Sequence, residues 1–415
     1  MRELPDIVIL GLTVTSSWGN GHATTWRGLI RGLAARGYRI LFLERDAPWY
    51  ASNRDDPNPE GATTVIYESF EDLSSRFERE VSQAALVIVG SYVPDGSRVG
   101  EWVTSVANGK CAFYDIDTPI TMSLLDSGRC EYISAQLIGR YDAYFSFAAG
   151  PTLRKLESKY GSPMARPLYC SVDQDKYYPA ETQKRWDLGY LGTYSADRQC
   201  LVDELLVNPA CQWSEGQFAV AGPQYPDSIQ WPANVERFVH LSPGEHAAFY
   251  SSQRFTLNVT RQAMKSAGHS PSVRLFEAGA CGVPVISDWW EGLETLFRIG
   301  DEVLVAERAE DTLRYLRDIP EPRRLSIGQS ARNRVLAEHT PAARALQIEG
   351  YLKEMNDQIS SCSARRNRFG GEGSGWMESG LSPQPDGERA GEPLSRDSFG
   401  VTHSSDIHKP VGARN

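Results

Sequence analysis

The 415-residue chain is 41% hydrophobic and 23% charged, an ordinary balance for a chain that folds around buried cores. Its longest apolar runs, such as 7–12 and 85–90, fall far short of the about 20 residues a membrane helix needs, and the opening MRELPDIVIL has neither the basic start nor the unbroken apolar stretch of a signal peptide, so a cytoplasmic protein is expected. A formal charge of −10 excludes a chain built mainly to grip nucleic acid, and seven scattered cysteines without a CxxC pair support neither a disulfide framework nor a metal site.

From the start to about position 170, short apolar runs alternate with amphipathic stretches. Strands are predicted at 7–12, 39–43, 63–67, 85–91, 110–117 and 141–147. Between the first two, Trp26, Leu29, Ile30 and Leu33 share one helical face, and Gly37 follows as a C-terminal cap. The alternation begins afresh with strands at 187–193, 216–222, 235–241, 254–260, 283–288 and 301–306. Helical stretches near 197–207, 245–251, 271–281 and 309–318 separate them. Near-continuous apolar strands divided by helices indicate parallel sheets covered on both faces. The expected fold class is α/β: two Rossmann-like domains, 1–175 and 180–340, joined by the segment 168–179 and facing each other across a cleft. Helices at about 322–338 and 341–356 follow, the second capped by Thr340 and begun by Pro341. The polar, aperiodic tail 359–415 is expected to be disordered.

Ligands of open parallel sheets bind outside the carboxyl ends of the strands. After the first strand comes TVTSSWGNGHATT, in which Gly19 and Gly21 permit tight turns and close ligand approach. It is neither a Walker loop, lacking the lysine, nor GxGxxG, lacking the third glycine. His22 would face the cleft, orienting a ligand or touching a phosphate; a buried structural histidine is the competing reading. Arg27, Arg31, Arg36 and Arg39 form a face that could meet an anionic membrane as a peripheral contact, or simply solvent. In FYDIDTP, Asp115 and Asp117 alternate. Asp117, nearer the strand end, could take a proton from a ligand hydroxyl, hold ligand hydroxyls, or cap the helix begun by Thr118-Pro119. Trp18, Trp49, Trp289 and Trp290 could offer stacking faces to a ligand ring or serve packing.

In the second half, Gly192 and Thr193 allow close backbone approach, and Arg198 could neutralise a diphosphate or stand exposed at a helix start. In GHSPSVRLFEAGACGVPVISD, Ser270 is the expected N-cap and Pro271 the first helical residue. Free amides and the helix dipole would make an anion site there. Glu277 would lie about 9 Å further on, within reach of the ribose attached to a bound pyrophosphate, or else on a wet helix face. Arg274 could add charge to the phosphate or face solvent.

SVRLFEAGACGVPVISD (272–288) resembles the donor-binding signature of retaining glycosyltransferases with two facing Rossmann-like domains, the GT-B architecture. More closely it resembles the CgeB-type spore-maturation glycosyltransferase-like family. CSVDQDKYYP (170–179), YLGTYSADR (190–198), FAVAGPQYP (218–226) and GDEVLVAERAEDTLRYL (300–316) are similar to further pieces of such enzymes and occur in the expected order. The resemblance implies transfer of a sugar from a UDP-, GDP- or dTDP-sugar to a glycan, lipid or protein-surface acceptor, as in polysaccharide biosynthesis. It implies donor binding by Gly192, Thr193, Arg198, Ser272, Arg274 and Glu277, with the acceptor near His22 and Asp117. The scheme needs no metal and no cofactor, and the last helix, 341–358, would cross back onto the first domain. Where the common E-x7-E pattern has its first glutamate, this chain has His269, which could contact the sugar or phosphate or fill the loop. Two other readings stay open: a sugar-nucleotide epimerase, and a non-catalytic carbohydrate-binding or surface-assembly protein, which His269 favours.

Overall fold

The computed structural model describes residues 4–18 and 21–369, with side chains described to 357. Gly19, expected to shape a turn, and the tail from 370 onwards lie outside the described residues.

The first sheet contains β1 (Ile7–Gly11), β2 (Ile40–Arg45), β3 (Thr63–Tyr67), β4 (Leu86–Gly90), β5 (Lys110–Asp115), β6 (Ala143–Ser146) and β7 (Ala165–Pro167). All are parallel, in the order β3-β2-β1-β4-β5-β6-β7. The second contains β8 (Trp186–Leu191), β9 (Phe218–Ala221), β10 (Val235–Phe238), β11 (Gln253–Asn258), β12 (Val285–Ser287) and β13 (Val303–Val305). It too is parallel, in the order β10-β9-β8-β11-β12-β13. The order in which strands are added reverses between β1 and β4 and between β8 and β11, the switch points where such sheets open a crevice for ligands.

β1 is buried along its whole length because alternate side chains serve different cores. Val8 and Leu10 join Leu43, Val87, Leu73 and Phe77 on one face of the sheet. Ile7 and Ile9 join Trp26, Leu29, Ile30 and Leu33 of helix α1 (His22–Ala34) on the other. Trp26 is wholly buried, and truncating it to alanine would cost about 3–5 kcal/mol. β7 was not expected: Ala165-Arg166-Pro167 has no apolar alternation, and only an edge position accommodates its proline.

Seven further helices matter here: α2 (Thr118–Asp126), α3 (Pro151–Ser158), α4 (Ala196–Val202), α5 (Gln262–Ala267), α6 (Val273–Ala280), α7 (Glu321–Glu338) and α8 (Pro341–Phe369). The expected change of character near 359 falls inside α8. Ala345, Ile348 and Met355 of α8 pack in the core of the first sheet, so the chain returns to the domain where it began. Gly32 on α1 permits that return, because a Cβ there would overlap the Pro341 carbonyl. Arg344, wholly buried, holds the crossing: it donates to the carbonyls of Tyr169 (2.8 Å), Cys170 (3.0 Å) and Glu338 (2.8 Å). No helix among the described residues is long and apolar enough to cross a membrane. Among them the cysteines are free thiols, and no group of three His, Cys, Asp or Glu side chains is placed to hold a metal ion.

Candidate active site

The carboxyl ends of the two sheets meet along a seam. Ala149, after β6, donates its N–H to the His269 carbonyl (3.0 Å), and Tyr169 Oη donates to the same oxygen (3.1 Å). α2 of the first domain packs on α5 of the second. Sequence-predicted residues from both halves lie along this seam.

In the second domain, β8 delivers Gly192, whose carbonyl accepts from Tyr225 Oη at 3.1 Å. Gly192 also makes room for a cation: a Cβ there would lie 2.8 Å from Arg274 Nη2. Thr193 is exposed, and its carbonyl accepts from Arg198 Nη2 at 2.5 Å. Arg198, in the first turn of α4, is only 3% exposed, and its Nε has no acceptor. Burial weakens its hold on the proton, and the nearby charges of Arg274 and Arg261 act in the same direction. Arg274 donates to the Leu191 carbonyl and to Ser272 Oγ. Among the described residues no carboxylate pairs with Arg198 or Arg274. A buried guanidinium in this state, beside other cations, has the chemistry to attract an anion.

α6 begins two residues later than the sequence suggested. Ser272 is the N-cap, its Oγ accepting from the Arg274 amide at 3.4 Å, and Val273 is the first helical residue. Pro271 lies before the helix instead of at its first position, and Ser272 takes the extended backbone of an N-cap. The role expected of Ser270 therefore passes to Ser272, the hydroxyl that can reach an unpaired amide. The Arg274 guanidinium reaches back to that same hydroxyl (3.1 Å), so amide, hydroxyl and cation lie together at the helix start. Glu277 follows one turn on, about 6 Å along the axis from Val273. It is half-buried, and its Oε2 accepts from Tyr250 Oη at 3.1 Å. Burial, and then the Glu277 charge, raise the Tyr250 phenol well above its ordinary range, so Tyr250 remains a donor that steers the carboxylate.

In the first domain, His22 opens α1, buried at 9% exposure and set edge-on to Tyr92 with ring centroids 5.5 Å apart. Burial pulls its pKa down to about 4, so the imidazole is neutral at pH 7. Asp117 stands at the N-cap position of α2, yet its side chain makes no capping bond. It accepts instead from Tyr92 Oη at 3.0 Å. Burial raises the Asp117 pKa, against the opposing influence of the Tyr92 bond and of Arg261 from the second domain. Beneath it Asp115 is sealed in, accepting from Tyr144 Oη (2.6 Å), Thr121 Oγ1 (2.7 Å) and the Asp117 amide (3.1 Å). Asp115 is a support for the turn that carries Asp117; burial raises its own pKa to about 6.

His269 takes a left-handed backbone (φ 46°), and its amide donates to the Glu291 carbonyl at 2.5 Å. Its ring is wedged between Gly150 and Gly292, where a Cβ on either glycine would overlap it. Its side chain is 17% exposed, with Nε2 3.9 Å from Glu291 Oε1, so it fixes the seam while staying partly open. Of the tryptophans, Trp290 is core at 1% exposure and offers no stacking face; Trp18 (46%), Trp49 (55%) and Trp289 (50%) stay open. The arginines proposed as a membrane face are neutralised: Arg27 pairs with Asp55, Arg31 with Asp173, Arg36 with Glu349 and Arg39 with Asp6.

Three residues at the site escaped the sequence reading: Tyr92, Arg261 and Tyr250. Only Tyr92 had a local signal, standing directly after the glycine-serine end of a predicted strand, and there it adopts φ 61°. Arg261 and Tyr250 come together with their partners only through the tertiary fold.

Residues 198–350 match the model of a family described as glycosyl transferase-like. Among curated proteins none matches by sequence. Solved structures share the fold. A sucrose-phosphate synthase from Thermosynechococcus elongatus is 15% identical, with a TM-score of 0.62 over 86% of this chain and 100% of that one. Anabaena HepE, solved in complex with UDP and glucose, is 11% identical, with a TM-score of 0.60 over 84% and 100%. AviGT4, a glycosyltransferase involved in Avilamycin A biosynthesis, is 13% identical, with a TM-score of 0.55 over 86% and 98%. Fold and family match together define the class: a glycosyltransferase with the GT-B architecture.

Proposed function

We propose that the chain transfers a sugar from a nucleoside-diphosphate sugar to an acceptor hydroxyl, with the donor held by the second domain and the acceptor by the first, and that it is a cytoplasmic member of the CgeB-like branch. The observation that carries the reading is Arg198: a buried guanidinium without a carboxylate, beside Arg274 and the opening of α6. The diphosphate would lie against Arg198 and the first amides of α6, where the helix dipole adds to the attraction. The ribose would reach Glu277, whose carboxylate accepts from two hydroxyls while Tyr250 holds it. The UDP complex of HepE makes UDP the first base to try, with GDP and dTDP beside it.

As the bond to the departing diphosphate lengthens, negative charge grows on its oxygens, and fixed cations and amides stabilise it without reorganising. This supplies the charge neutralisation that a metal ion would otherwise provide. On the acceptor side Asp117 would accept the hydroxyl proton, burial having raised its pKa and so its basicity. His22, neutral and buried beside Tyr92, would orient that hydroxyl. His269 would touch the sugar only through its exposed part. Its wedged ring favours a second reading, a binding protein without turnover. Incubation with nucleotide-sugars, with and without cell extract, followed by mass, tests both. Free nucleoside diphosphate that appears only with extract supports transfer. An isomerised donor means an epimerase, and binding without products means a binding protein.

A further inference from the structure

Trp18 and Trp49 are large, exposed and unused by the donor and proton-transfer chemistry. Trp18 lies in the loop after β1, and Trp49 lies in the one-turn helix Pro48–Ala51 after β2, so both stand at the carboxyl end of the first sheet. The two loops are laced together: Ser16 Oγ donates to the Asn53 carbonyl (2.7 Å), and the Asp56 amide to the Thr15 carbonyl (3.1 Å). The strand order runs outward from the seam as β5, β4, β1, β2, carrying in turn Asp117, Tyr92, His22 with Trp18, and Trp49. Three inter-strand steps of about 4.8 Å put Trp49 roughly 14 Å from the line of Asp117.

The charge around these rings shows no excess of cations. Arg27 makes two bonds to Asp55 (2.8 and 3.1 Å), and Arg54 pairs with Asp46 (2.8 Å). Besides these two pairs, Asp56 lies 3.8 Å from Arg27, and buried Glu44 accepts from the Val14 and Thr15 amides. An anionic membrane would need an excess of cations here, and each arginine is already neutralised. Flat aromatic faces beside fixed, mutually paired guanidinium and carboxylate groups suit an uncharged, hydroxyl-rich ligand, whose C–H faces stack while its hydroxyls bond at the rim.

We propose that Trp49 and Trp18 form an outer subsite that stacks the distal units of an oligosaccharide acceptor whose reacting hydroxyl lies at Asp117, so that the acceptor class is a neutral glycan chain. This rests on the donor and acceptor assignment above and extends it. A span of this length is bridged by several sugar units and not by one. Affinity should therefore rise with chain length, and the rise should disappear with the rings.

The test uses the full chain and neutral gluco-, manno- and galacto-oligosaccharides from disaccharide to hexasaccharide, with binding followed by calorimetry. Trp49→Ala, Trp18→Ala and Trp49→Phe are compared with the unmodified protein, UDP binding is measured in each, and vesicles of phosphatidylcholine with one-quarter phosphatidylglycerol form a separate arm. The expected result is a hexasaccharide bound at least roughly ten-fold more tightly than the disaccharide, with the difference lost in Trp49→Ala, partly kept in Trp49→Phe, and UDP binding unchanged throughout. The proposal is overturned if no oligosaccharide binds while UDP does, if length dependence survives both alanine variants, or if the rings are needed for vesicle binding instead. If UDP fails to bind the unmodified chain, the donor assignment itself falls, and this subsite falls with it.

Discussion

Replacing Arg198 by methionine should act with opposite signs on binding and on stability. The side chain is buried, gives Nη2 to the Thr193 carbonyl, and leaves Nε without an acceptor beside Arg274 and Arg261. On binding, the loss is a charge-assisted bond to phosphate, about 1.5–3 kcal/mol. That is a factor of roughly ten to one hundred and fifty in Kd for UDP. On stability, exchanging a buried ion for an apolar side chain of similar volume is neutral or favourable by about 1–4 kcal/mol, less the about 0.5–1.5 kcal/mol of the lost Thr193 bond. The free protein should melt at the same temperature or a few degrees higher, and UDP should no longer raise it. Calorimetric titration and thermal melts of both proteins measure the two effects. Undiminished UDP affinity in Arg198→Met would refute the reasoning, and so would a free-state melting point several degrees lower.

Other expectations follow from the same geometry. Glu277→Ala should weaken UDP by roughly ten-fold or more while leaving inorganic pyrophosphate binding unchanged, because in the proposed pose only the ribose would meet that carboxylate; equal losses for both ligands would show that Glu277 acts elsewhere. Turnover should rise with pH through the raised pKa of Asp117. Tyr92→Phe removes a donor to the charged carboxylate and should move that acidic limb to higher pH, with donor KM unaltered; an unmoved limb removes Asp117 from the role of base. Asp115 has a native pKa of about 6 against 3.8 in the unfolded chain, so the native state binds this proton more tightly. Stability should therefore fall as pH rises between about 4 and about 6, by up to about 3 kcal/mol, and denaturant unfolding of Asp115→Asn should lack that slope. Gly150→Ala drives a methyl into the His269 ring and should loosen the seam, raising the protease sensitivity of the 147–152 loop while UDP still binds; a resistant variant would show that the wedge is not structural.

The architecture was legible because it is written in local pattern. Runs such as 7–11 and 86–90 are buried on both faces, so they are apolar at every position, and that is the mark of a parallel strand. β7 was not legible, because an edge strand needs few buried side chains. The proposed donor residues were picked out by their spacing at one helix start, although the cap itself moved from Ser270 to Ser272. What local pattern could not show was partnership. Asp117 looks like a helix cap in sequence and is instead held by Tyr92, twenty-five positions earlier. His269 looks like a substitution at a sugar-contacting position, and its ring is gripped by Gly150 and Gly292, one from each half of the chain.

A crystal structure of the full chain with UDP tests the central claim most directly. The account places diphosphate oxygens within hydrogen-bonding distance of Arg198 Nε and the amides of Val273 and Arg274, with ribose hydroxyls on Glu277. A nucleotide bound in the first domain, or one whose phosphates lie away from Arg198, would contradict it.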